Sequence, residues 1–394
     1  VTERLLDISR SKLTELAARG LSVSDMAASF VCPEDLIRRR MLEWQITLCS
    51  TSRNQERFEM TEEKKVKLGV GLDVGTMNLV SARQVGDQTS IRRVRDAFLD
   101  LEVDAKKMLQ LSGVSYVEYD DRILILGDTA IETANLFKRE ARRPLSQGLI
   151  SSSEIDALEV LSILIQQVIG DPSDDGEICY YSIPAAPVDV PNQDVVYHEA
   201  VFAKILKELG YTPKSGNEAM AIVYSECASD TFSGIGISFG SGMVNLALSY
   251  MTMPILEFSL ARGGDWIDQQ TAKALGTTAS RVCALKEKGI NLMAPETREQ
   301  EALVVYYQSL IRYALENIET QFKKSQSDTE LSKAIPIVLS GGTSLPEGFL
   351  ELFREVFESR RKHFPIEVSE IRRAENPMTS VAEGLLVQAM QEYS

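Results

Sequence analysis

Two segments of this chain, far apart, follow one plan: an apolar strand run, a glycine turn, and a second strand run. The first is Gly71-Leu72-Asp73-Val74-Gly75-Thr76-Met77-Asn78, with the second strand continuing from Val80. The second is Ile237-Ser238-Phe239-Gly240-Ser241-Gly242-Met243-Val244-Asn245, about 165 residues later. A repeated strand-turn-strand unit restricts the fold more than any compositional measure, because it requires two similar halves. The intervening sequence makes those halves α/β. Residues 155–169 have helical apolar spacing and lead through a polar turn to a strand at 178–183. Residues 195–209 are helical again. A long amphipathic helix over about 301–324 precedes a strand at 335–339 and the third glycine turn, Gly341-Gly342.

The 394 residues, 44% hydrophobic, are enough for two or three core-bearing units. The net charge of −15 repels phosphate backbones and argues against a nucleic-acid-coating role. Five scattered cysteines without a CxxC pair, and two histidines, spell neither a zinc cage nor a disulfide framework. Cys227 and Cys283 read as packed thiols, His198 and His363 as structural or exposed. No run of about 18 apolar residues is present, so no transmembrane segment is expected, and the location expected is cytoplasmic.

Residues 1–59 differ from the rest. They favour helix and balance nine acidic against nine basic side chains. A polar linker spans 51–67. Within the segment Gly20 stops one helix, Ser22 caps a second, and Cys32-Pro33 breaks before a third that carries Arg38-Arg39-Arg40. That spacing resembles a helix-turn-helix. The other reading is an appendage that self-associates or docks a protein partner, and zero net charge weakens DNA binding.

Each glycine turn has a chemical use. Glycine lets backbone approach an anion, and consecutive N–H groups form a phosphate-sized nest. Asp73, at a strand end beside such a nest, suits a hydrated Mg²⁺ held through water. The diglycine before Thr343 permits flat approach of a nucleoside. Together, in this order, the three turns resemble those of the actin-like ATPase superfamily of actin, MreB, MamK, ParM and PilM. The resemblance covers about residues 66–392. It implies two duplicated ribonuclease-H-like domains around a nucleotide cleft, domain I from 66–216 with 379–394 and domain II from 217–378, beside the small N-terminal helical segment.

The resemblance also implies roles. Gly75, Thr76, Met77, Asn78, Gly240, Ser241, Gly242, Met243, Gly341, Gly342 and Thr343 correspond to nucleotide-binding positions. Lys286 and Glu287 correspond to a helix near ribose and base. Glu218, in Asn217-Glu218-Ala219-Met220, corresponds to the carboxylate that positions the attacking water, with Asp73 beside it. Residues 376–384 are similar to a second connector, with small residues where two helices cross. Arg143-Pro144-Leu145-Ser146-Gln147-Gly148-Leu149-Ile150 is most like MreB and MamK.

One position departs from the pattern. The family's second phosphate turn begins with an aspartate, here Ser238, which cannot take a proton at neutral pH. Losing one base typically costs about 10²–10⁴ in rate. The expectation is therefore an ATP- and Mg²⁺-binding cytoskeletal protein that forms nucleotide-dependent filaments with itself and hydrolyses slowly. The alternatives are a PilM-like, non-polymerising pseudo-ATPase that docks a partner through residues 1–59, or a regulator using the helix-turn-helix.

Overall fold

The computed structural model describes residue 13 and residues 69–393, except 120, 138, 191, 192, 194 and 326–332. The expected N-terminal helices and the linker lie outside the described residues.

Residues from 69 onward build two five-stranded sheets of matching topology. In the first, β1 (Val70–Val74), β2 (Asn78–Val85) and β3 (Gln88–Arg95) form an antiparallel meander. A small second sheet follows, β4 (Phe98–Glu102), β5 (Val117–Tyr119) and β6 (Arg122–Leu126), with helices α1 (Lys106–Ser112) and α2 (Asp128–Leu136). A two-stranded hairpin, β7 (Leu145–Ser146) and β8 (Leu149–Ile150), leads to α3 (Ala157–Ile169). Then β9 (Ile178–Ile183), α4 (Val196–Glu208) and β10 (Thr212–Asn217) complete the first large sheet, in which β9 pairs parallel to both β1 and β10.

After α5 (Glu218–Glu226) the plan repeats. The second meander is β11 (Gly234–Phe239), β12 (Val244–Tyr250) and β13 (Met253–Leu260). Helices α6 (Gly264–Leu275), α7 (Ala279–Glu287) and α8 (Arg298–Lys324) precede β14 (Ile335–Ser340), α9 (Phe349–Arg360), β15 (Val368–Arg373) and the closing α10 (Ser380–Gln391). Strand order β10-β9-β1-β2-β3 is mirrored by β15-β14-β11-β12-β13, the duplication visible in the sequence.

Burial explains the strands. β11 and β14 are buried at every position, as fully covered central strands must be. The second half's core centres on Phe239, with Phe349 edge-on at 5.2 Å, alongside Tyr307 and Phe353. Leu72, Leu161, Tyr181 and Phe202 fill the first. His198 is buried against Phe202, ring centroids 4.6 Å apart, and burial lowers its pKa to about 4, a neutral packed ring.

The two sheets are joined by α5 and α10, which cross at Gly384 and pack on β11 and β1 at Gly236 and Gly71. A Cβ on Gly384 would lie 1.8 Å from the Ala221 carbonyl, one on Gly71 2.0 Å from that of Ala382, and one on Gly236 2.4 Å from that of Ala219. Side chains at these points would separate the layers, so the small residues read in the second connector do stand where two helices cross.

Candidate functional site

Both meanders and β14 end at the same place, a cavity of about 690 Å³ between the two halves, within the range of small-molecule sites. Asp73, Gly75, Thr76, Met77 and Asn78 line it from the first half. Glu218, Gly240, Ser241, Gly242, Met243, Lys286, Glu287, Gly341, Gly342 and Thr343 line it from the second. All fifteen residues singled out in the sequence thus face one space.

The turns approach one another closely. The Gly148 N–H, at the tip of the β7–β8 hairpin, donates to Thr76 Oγ1 at 3.0 Å. A Cβ on Gly242 would meet the same Gly148 nitrogen and Thr76 oxygen, each at 2.4 Å. Gly341 has φ +88°, and a Cβ there would sit 2.4 Å from the Phe239 carbonyl, so only glycine fits. Thr343 Oγ1 donates to the Gly240 carbonyl at 2.9 Å, tying the third turn to the second. Ser241 Oγ and Asn78 Oδ1 are buried without partners among the described residues, polar atoms placed for a ligand.

The carboxylates are held by their elements. Asn217 caps α5, its side chain accepting from the Ala219 and Met220 amides at 2.9 and 3.0 Å, and this sets Glu218 in the first helical turn. Glu218 Oε1 accepts from the Ser238 hydroxyl at 2.7 Å, and Oε2 from Asn245 Nδ2 at 2.8 Å. Asp73 Oδ1 accepts from Ser182 Oγ at 3.0 Å, while that hydroxyl accepts from the Val74 amide at 2.7 Å. Burial, reinforced by the Glu218 charge and opposed by the Ser182 hydrogen bond, raises the Asp73 pKa to about 8. Burial also raises Glu218, against its two hydrogen bonds. Two desolvated carboxylates in one cleft favour a cation between them.

Three residues carry interactions that local sequence does not show. The Ser238 proton is engaged by Glu218 rather than offered to water. Lys286 pairs with Asp268 at 2.8 Å and donates to the Gly264 carbonyl at 3.2 Å. Glu287 forms an ion pair with Arg95 of the opposite half. A second pair across the cleft joins Arg143 to Asp265 at 3.0 Å. Cys227 is a packed thiol as expected, whereas Cys283 is half-exposed on the cavity wall, because α7 supplies that wall and turns one face to it. Arg95 escaped the sequence reading, and Asn245, though part of the second motif, was given no role there. Their cleft partners, Glu287 and Glu218, lie 192 and 27 positions away, beyond any local pattern.

A family model described as Volactin matches residues 68–389. No curated protein matches the sequence. Among solved structures, the MamK double helical filament superposes with a TM-score of 0.63 at 18% identity, over 82% of this chain and 98% of that one. MreB 5 of Spiroplasma citri bound to AMPPNP gives 0.57 at 13% identity, over 82% and 97%. MreB5 of Spiroplasma citri bound to ADP gives 0.54 at 14% identity, over 80% and 94%. The likeness to these structures is one of fold, and the fold is the actin-like one.

Proposed function

This chain belongs to the Volactin family, an actin-like family, and from that premise we propose that it binds ATP with Mg²⁺ in the cleft, hydrolyses it slowly, and assembles with copies of itself into nucleotide-dependent filaments in the cytoplasm. The observation that carries this reading is the convergence of three glycine turns and two strained carboxylates on one cavity. Neighbours of the same fold are nucleotide-bound or filamentous, which supports both halves of the proposal.

The turns at 75–78 and 240–243 present backbone N–H groups to phosphates from opposite sides, and the third turn offers a flat glycine surface to the nucleoside. Asp73 would hold a hydrated magnesium ion, which supplies charge neutralisation of the phosphates when bound. Glu218 orients and accepts a proton from the attacking water. Its two oxygens already accept from Ser238 and Asn245, so fewer of its lone pairs are free to hold the attacking water. Position 238 carries a serine whose hydroxyl is committed to Glu218. Slow turnover follows from that pair of features.

Phosphate release by the wild type against Ser238→Asp is the test. A carboxylate at 238 is expected to accelerate Mg-ATP turnover by at least about tenfold. An unchanged or slower rate contradicts the account of slow hydrolysis. Among the described residues no helix is long and apolar enough to cross a membrane.

A further inference from the structure

Behind Glu218 lies a second layer of contacts. Asn245 presents Nδ2 to Glu218 at 2.8 Å, and its Oδ1 accepts from the Ser259 hydroxyl on β13. Asn245 and Ser259 are both buried. The Ser259 backbone is engaged elsewhere. Its carbonyl accepts from the Val188 amide at 3.0 Å, its own N–H donates to the Ala186 carbonyl at 3.3 Å, and Pro187 bridges it in parallel. These residues follow β9 of the first half. Asp189 extends the attachment, Oδ1 accepting from the Ala261 amide at 2.9 Å and Oδ2 from the Tyr313 hydroxyl at 3.1 Å. Residues 186–189 thus form a strap from the first half onto the edge strand of the second. Ser259 is where strap and carboxylate meet.

We propose that Ser259 is a positioning residue: its hydroxyl fixes the Asn245 amide and through it aims Glu218, while its backbone ties that aim to the strap from the other half. The proposal rests on the reading of the cleft as a slow ATPase. An amide engaged at both ends cannot turn. Without the Ser259 donor, Asn245 Oδ1 becomes a buried carbonyl lacking a partner, which drives rotation or admits water. Glu218 then loses a fixed donor, and misplacement of a water-orienting group by a fraction of an ångström slows the chemical step. The strap acts on the same chain of contacts from outside, since loosening it frees the β13 backbone at Ser259.

The test uses the full chain loaded with radiolabelled Mg-ATP, read as single-turnover phosphate release, with nucleotide Kd measured alongside on a fluorescent ATP analogue. Ser259→Ala is expected to slow cleavage about tenfold while Kd changes by less than about twofold. Ser259→Thr, which keeps the hydroxyl, restores the rate. Asp189→Ala, outside the cleft, slows cleavage in the same direction. Wild-type cleavage by Ser259→Ala overturns the positioning role and leaves the ATPase reading intact. A fall in rate and affinity together, without recovery in Ser259→Thr, also overturns it and assigns Ser259 to packing. If Ser259→Ala fails to fold, Asp189→Ala decides, and an unchanged rate in that variant overturns the link. A wild type that binds ATP and releases no phosphate overturns both readings at once.

Discussion

Burial holds the Asp73 carboxyl well above its ordinary titration range. Its folded-state pKa of about 8 stands above the ordinary value of 3.8, so the native state holds a proton the unfolded chain has released between those limits. Stability from this group is therefore greatest at low pH and is lost as pH rises through about 8. Asp73→Asn is expected to raise the Tm of the nucleotide-free protein at pH 8 and to change it little near pH 4, read from thermal melts at the two values. A lower Tm at pH 8 contradicts the assignment. Mg²⁺ with nucleotide narrows the difference, because a cation stabilises the ionised form. Asp73 and the glycines were legible in the sequence through local patterns with a chemical reason, and Glu218 through the resemblance of its connector. Asn245, Ser259 and Arg95 were not, since their roles come from partners in other elements.

At the scale of elements, the crossing of α5 and α10 holds the two sheets together. A Cβ at 384 would penetrate the Ala221 carbonyl at 1.8 Å, backbone that cannot step aside. Gly384→Ala is expected to cost about 3 kcal/mol or more, at or beyond the usual range for overpacking. Gly86→Ala is the control: its added Cβ meets nothing within 4 Å, and its φ of +61° costs about 1–2 kcal/mol. Equal midpoints in urea melts of the two variants refute the crossing as a close contact. The glycine turns and buried strands declared themselves through period and punctuation. The small sheet β4-β6-β5 did not, because its strands of three to five residues carry too few alternations to show a period.

At the scale of the molecule, the two halves meet around the cavity through Arg95–Glu287 and Arg143–Asp265. Both pairs reach across the cleft, so they resist opening. Arg143 and Asp265 are 35% and 21% exposed, and a pair of that kind contributes about 0.2–1 kcal/mol. Arg143→Ala is expected to speed release of a fluorescent ATP analogue by up to about fivefold in a chase experiment. An unchanged off-rate removes the pair from the closure mechanism. Neither pair was foreseeable from spacing, since Arg143 and Asp265 are 122 positions apart. The duplication was foreseeable, because the two strand-turn-strand units stand in the sequence itself, and the mirrored sheet orders follow from it.

ATP is proposed to drive this chain to assemble with itself. High-speed pelleting of the purified protein with and without Mg-ATP, with the pellet imaged by negative stain, tests it most directly. Protein that pellets as filaments with nucleotide and stays in the supernatant without it is the expected result. Protein that stays in the supernatant under every nucleotide and salt condition contradicts it and points instead to the non-polymerising docking module.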